Sequence, residues 1–192
     1  MCIRDRYALL TAVSILFTSC GPSSNTNNPQ VPNVPQPQPQ PQPEVTQKVV
    51  IGYLALDDWE FENLFPTIEW KYLTHINASF ARVKADGTLN IEPVRKRIES
   101  VRETAHKHNV KILISLAKNS PGEFTTAIND PKARKELIQQ IIAFTKEYKL
   151  DGFDIDYEEY DNWDKNFPSL LVFARGLYLA KEKNMLMTLS LI

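Results

Sequence analysis

Cysteine is almost missing from this sequence: Cys2 and Cys20 are the only two. Both precede the part that patterns as folded, so neither a disulfide framework nor a Cys-x-x-Cys metal pair can be built. Histidine is scarce too, with only His75, His106 and His108. His106 and His108 sit two apart in a helical pattern, where side chains diverge, so no metal site is expected from them. An excess of one charge is also absent, since 22 Lys and Arg stand against 23 Asp and Glu. A nucleic-acid partner calls for a clustered basic surface, and none is expected here. The stretch Ala55-Leu56-Asp57-Asp58-Trp59 holds no glycine. A dinucleotide-binding turn after the first apolar run therefore lacks its fingerprint, and no cofactor is implied.

What is present begins with an address. Arg4 and Arg6 precede the apolar run Tyr7–Phe17, which exits through Thr18-Ser19-Cys20-Gly21. This order reads as an export signal, and the run is too short to span a bilayer comfortably. Leu16-Phe17-Thr18-Ser19-Cys20 resembles a bacterial lipobox, although Phe17 is bulkier than usual at its position. The resemblance implies a lipoprotein signal over residues 1–20 and lipidation of Cys20. The protein would then be exported to the bacterial envelope, periplasmic or at the cell surface, touching membrane through the lipid alone. Residues 21–46 are rich in Ser, Asn, Gln and Pro and include the repeat PQPQPQPQP. Such a segment buries nothing and favours extended polyproline II, which suits a disordered spacer.

From residue 47 the pattern changes. Apolar, β-branched runs read as buried strands at KVVIGYLAL, THINASFARV, VKILISLA, GFDIDYEE and MLMTLSLI. Helical periodicity lies between them. Val94, Ile98, Val101 and Ala105 mark one helix over Glu92–His108. Asp130 as N-cap and Pro131 at the first position open a second. Pro168 opens a third, running to about Lys183. Strands apolar on both faces, alternating with helices, mean a parallel sheet covered by helices. The pattern fits a doubly wound open sheet and a (β/α)8 barrel equally well.

The fourth run carries the chemistry. In Asp151-Gly152-Phe153-Asp154-Ile155-Asp156-Tyr157-Glu158, side chains alternate, so Asp154, Asp156 and Glu158 share a face, with neighbours roughly 6.5 to 7 Å apart. Three acids on a buried strand repel one another and should raise at least one pKa. A solvated acidic edge does not fit, because Phe153 and Ile155 bury the other face. A calcium loop needs an irregular, glycine-containing turn. Asp154-Ile155-Asp156 alone also fits the short pattern of metal-dependent glycosyltransferases, but so does much random sequence.

The full stretch resembles the DGxDxDxE signature of family 18 glycoside hydrolases at every fixed position. That family includes chitinases and endo-β-N-acetylglucosaminidases on a (β/α)8 barrel, with the signature on its fourth strand. The resemblance implies Glu158 as general acid, Asp156 orienting the substrate's 2-acetamido group, and Asp154 sharing a proton or hydrogen bond with Asp156. The substrate's own carbonyl would act as nucleophile, giving a retaining mechanism without metal or cofactor. It implies further that Tyr53 and Ser115 support Asp154 and that Phe80 lines the sugar pocket. Trp59 is a candidate stacking platform, and Trp163 a weaker one. The partner is then a glycan containing N-acetylglucosamine, either chitin-like polymer or N-glycan core. One departure stands out: the third strand of the family often ends in SxGG, where this chain has Ser115-Leu116-Ala117-Lys118.

A barrel takes about 250 residues, and the apolar run that ends at Ile192 has no helix after it. The expectation is the first five strands or so of a longer protein. The alternative to an enzyme is a barrel that only binds glycans, and the presence of Glu158 argues against it.

Overall fold

The computed structural model describes residues 48–159 and 163–191. The expected export signal, the lipidation expected at Cys20 and the expected Pro/Gln-rich spacer fall outside the described residues. Six strands form one sheet: β1 (Ile51–Ala55), β2 (His75–Val83), β3 (Leu89–Asn90), β4 (Lys111–Lys118), β5 (Gly152–Tyr157) and β6 (Leu186–Leu191). The helices are α1 (Phe61–Leu64), α2 (Glu92–Arg95), α3 (Ile98–Lys107), α4 (Glu123–Asn129), α5 (Pro131–Glu147) and α6 (Trp163–Ala180). The strand order is β1-β2-β4-β5-β6, every neighbouring pair parallel, with the short β3 added antiparallel to β2. Among the described strands the order never reverses, so they contain no topological switch point of the doubly wound kind. This is the (β/α)8 type of winding, covering part of a barrel.

Register assigns the two faces. Ile76, Ile112 and their neighbours Ala78, Ile114 and Phe153 align across three strands, as do Leu116 and Ile155. All are buried against Ile98 and Val101 of α3, Leu137, Ile141 and Phe144 of α5, and Leu170, Phe173 and Leu177 of α6. Each of these side chains larger than alanine contributes roughly 1.5–3 kcal/mol by leaving water. Phe124 of α4 ties the layer together, edge-on to Tyr157 (5.5 Å) and Phe173 (5.7 Å).

Local sequence explains the start of α5 and the end of α3. Asp130 caps α5 by accepting from the Ala133 amide at 2.7 Å, and Pro131 follows at the first position. Asn109, after α3, takes φ 58°, the left-handed conformation that asparagine tolerates.

Two expectations need correction. Glu92–His108 is not one helix, since α2 and α3 are separated at Lys96-Arg97. Arg97 has φ −118°, and its amide bonds Val94 O, three residues back. The turn lets its guanidinium reach the carbonyls of Leu56 (2.5 Å) and Asp58 (3.1 Å), holding the loop after β1. Nor does Pro168 open the last helix, for it lies inside α6. Trp163 and Phe167, 5.0 Å apart, extend the apolar stripe upstream and pack on the core, which outweighs the hydrogen bond that proline cannot make.

Candidate active site

The signature on β5 divides into a holding half and a facing half. Asp151, just before the strand, accepts from the Ile112 amide (2.9 Å), Lys111 Nζ (2.9 Å) and His106 Nε2 (2.8 Å). Burial there opposes ionisation, but these three donors outweigh it and hold the carboxyl below its ordinary value. Gly152 comes next. A Cβ at this position would lie 2.1 Å from Leu186 O, so the close approach of β6 requires glycine.

Asp154 and Asp156 point away from the helices. Asp154 is 1% exposed. Tyr53 donates to its Oδ2 at 2.9 Å, Ser115 to the same oxygen at 2.7 Å, and Thr188 to Oδ1 at 2.5 Å. Ser115 and Thr188 are its register partners on β4 and β6. Tyr53 is on β1, three strand spacings away, or about 14 Å across a flat sheet. Side chains standing perpendicular to a flat sheet could not meet across that gap. The contact therefore requires the sheet to curl toward this face, as a barrel wall does.

Burial, followed by the nearby charge of Asp154, pushes the Tyr53 hydroxyl up to about 12, against an opposing hydrogen bond from Asn77. Tyr53 is thus a donor at any ordinary pH. Asn77 is buried on the same face, and its Oδ1 has no hydrogen-bond partner among the described residues.

Asp156 is placed differently. It is 7% exposed, and its pKa is raised to about 6, first by desolvation, then by the charges of Glu158 and Asp154. Lys118 and Arg82 pull it the other way. Glu158 follows the last residue of β5, and its side chain is exposed. Its backbone oxygen accepts from Lys118 Nζ at 2.7 Å. A row of three acids thus runs from a carboxylate held by three donors, through a buried one whose pKa is raised to about 6, to one open to solvent. Such a row can hold a proton at the strand end and deliver it to a ligand there.

The remaining candidates fall at varying distances from this row. The Phe80 ring is 6.5 Å from that of Tyr53, and the Arg82 guanidinium carbon lies 5.0 Å from the Phe80 ring centre. Trp59, in the loop after β1, is 84% exposed. Trp163 is not a free platform, because it packs on Tyr157 (6.2 Å) and Phe167. The sequence reading missed Thr188, Asn77, Arg82 and Glu159. Thr188 and Ser190 were detectable as two polar residues at period two in an otherwise apolar strand, facing Asp154 and Asp156.

A sheet wound one way, curled toward a row of carboxylates at the C-terminal end of a central strand, defines part of a (β/α)8 barrel of glycosidase type. Residues 49–191 match the family described as glycosyl hydrolases family 18, and the chain belongs to it. A crystal structure of a chitinase from Bacteroides thetaiotaomicron superposes with TM-score 0.74 at 96% identity, covering 75% of this chain and 46% of that one. Chitinase B of Serratia marcescens is 27% identical over 144 residues, covering 59% of this chain and 28% of that protein. A family 18 chitinase from Cycas revoluta, solved in complex with (GlcNAc)3, shares the fold with TM-score 0.64 at 22% identity, covering 73% and 45%. The chain spans less than half the length of each of these relatives.

Proposed function

We propose that this chain supplies the acid row of a chitinase-type hydrolase that cleaves β-1,4 bonds next to N-acetylglucosamine. In this reading Glu158 protonates the glycosidic oxygen. The substrate's 2-acetamido carbonyl oxygen attacks the anomeric carbon from the opposite face, and the bond to the leaving sugar breaks. Asp156 accepts from the acetamido N–H and offsets the positive charge of the resulting oxazolinium ion. Glu158, now ionised, takes a proton from the water that opens the ring, so configuration is retained. Asp154 stays behind Asp156, held by Tyr53, Ser115 and Thr188. Phe80 and Trp59 offer apolar faces to sugar rings.

The observation that carries this reading is the geometry of the row: a buried Asp156 between an Asp154 held by three donors and an exposed Glu158. A second protein nucleophile is not needed, which suits a row of acids on a single strand. Near-identity to part of a Bacteroides thetaiotaomicron chitinase supports chitin-like polymer as substrate, ahead of the N-glycan core.

The test is Glu158→Gln in the protein made from its full reading frame. Turnover of a chromogenic chitin oligosaccharide is expected to fall about 10²–10⁴-fold, with oligosaccharide binding retained in calorimetry. Undiminished turnover would remove Glu158 from the role of acid.

A further inference from the structure

The backbone that carries Glu158 lies beyond the sheet ladder, whose last β5 pair is Tyr157 with Leu191. Among the described residues no ladder pair holds residues 158 and 159. Two side-chain contacts do so, one with the last residue of β4 and one with the start of α4. Lys118, where the family often has glycine, donates from Nζ to the Glu158 carbonyl at 2.7 Å. Glu159 turns the other way and is 8% exposed. Its carboxylate accepts from the Gly122 amide (2.6 Å), the Thr125 amide (2.7 Å) and the Thr125 hydroxyl. Thr125 also meets the Tyr157 hydroxyl at 2.5 Å. The two adjacent glutamates are therefore unlike. Glu159 has its acceptors occupied by the start of α4 and is closed to a substrate, whereas Glu158 is exposed at its side chain and pinned at its backbone.

We propose that Lys118 and Glu159 are positioning residues, pinning the backbone of Glu158 from both sides so that its carboxyl meets the glycosidic oxygen. This rests on Glu158 being the acid. A rotation at an unpinned residue 158 would swing the carboxyl by an ångström or more, and misplacement by about 1 Å can cost about 10²-fold in rate. The ammonium of Lys118 also acts through space, since it is one of two cations that lower the pKa of Asp156.

The experiment compares Lys118→Met, Lys118→Arg, Glu159→Gln and Glu158→Gln, all in the protein from its full reading frame, on a chromogenic chitin oligosaccharide. Lys118→Met is expected to lower kcat about ten-fold or more with KM within about two-fold, because the lost interaction belongs to the transition state. Its melting temperature should stay close to the parent's, and an ionisation in its kcat/KM profile should move to higher pH. Lys118→Arg, which can still donate to the carbonyl, should restore most of the rate. Glu159→Gln should lower kcat without moving that ionisation. If it fails to fold, the partly exposed Lys118 carries the test alone. An unchanged kcat in Lys118→Met, or a raised KM with kcat intact, overturns the proposal. Full activity in Glu158→Gln would instead overturn the assignment of the acid, so the two failures are distinguishable.

Discussion

Tyr53 and Asp154 are 101 positions apart, yet one hydrogen bond of 2.9 Å joins them. Its removal tests how far the buried acid depends on its donors. Tyr53→Phe keeps the ring against Phe80 and deletes only the hydroxyl, leaving Asp154 with Ser115 and Thr188. The loss should cost about 1–2 kcal/mol of stability and lower kcat about ten-fold through misplaced neighbours. Urea unfolding and steady-state assays of the one variant check both. Full activity would mean that two hydroxyls suffice. The shared face of Asp154 and Asp156 is readable in the sequence, because strand side chains alternate strictly. The partners of Asp154 are less so: Tyr53 and Ser115 entered through family resemblance, while Thr188 looked like an ordinary strand former. Lys118 drew notice only as a missing glycine, since no sequence pattern tells that its side chain folds back onto the Glu158 carbonyl.

At the scale of elements, the five long strands were readable because each is an apolar run, and α5 because its cap and first proline are local. The joint between α2 and α3 was hidden, since Val94, Ile98, Val101 and Ala105 keep helical spacing straight through it. What breaks the helix is a tertiary demand, the anchoring of the β1 loop by Arg97. Pro168 misled for the opposite reason, a local rule overridden by the stripe from Trp163 to Leu177. Gly152 illustrates a residue whose meaning is sterically set by another element. A methyl group at 2.1 Å from Leu186 O cannot be absorbed by a flexible side chain, because the obstacle is backbone. Gly152→Ala should therefore push β6 off β5 and destabilise the fold by about 1–3 kcal/mol or more. Hydrogen exchange should show the loss concentrated in the Leu186–Leu191 amides, and a uniform loss across the sheet would contradict this cause.

Across the whole molecule, alternation of strand and helix identified a helix-covered parallel sheet, but not its winding. The two candidate architectures share that alternation and differ only in which strand neighbours which, a long-range fact that periodicity does not hold. The family signature tipped the choice, and the order β1-β2-β4-β5-β6 with Tyr53 reaching Asp154 makes it physical. The same central strand sets an opposition in the response to pH. At its N-terminal end, the depressed pKa of Asp151 adds stability above the ordinary carboxylate value, lost as pH falls through the folded value. At its C-terminal end, Asp156 is raised to about 6, so it favours the fold while protonated and loses that contribution as pH rises through about 6. Stability from this strand should therefore peak near pH 4, where free carboxylates ionise, fall from there to about pH 6 and level off above it. Thermal melts from pH 3 to 8 on the parent, Asp151→Asn and Asp156→Asn separate the two limbs. Asp156→Asn should be more stable than the parent at pH 8 by on the order of 1–3 kcal/mol and show no gain near pH 4. Asp151→Asn should be less stable at neutral pH, with its deficit shrinking under acid. A parent whose stability does not decline between pH 4 and 7 relative to Asp156→Asn would show that β5 bears no electrostatic load at its chemical end. The acid row would then lack the strain that marks it as a site.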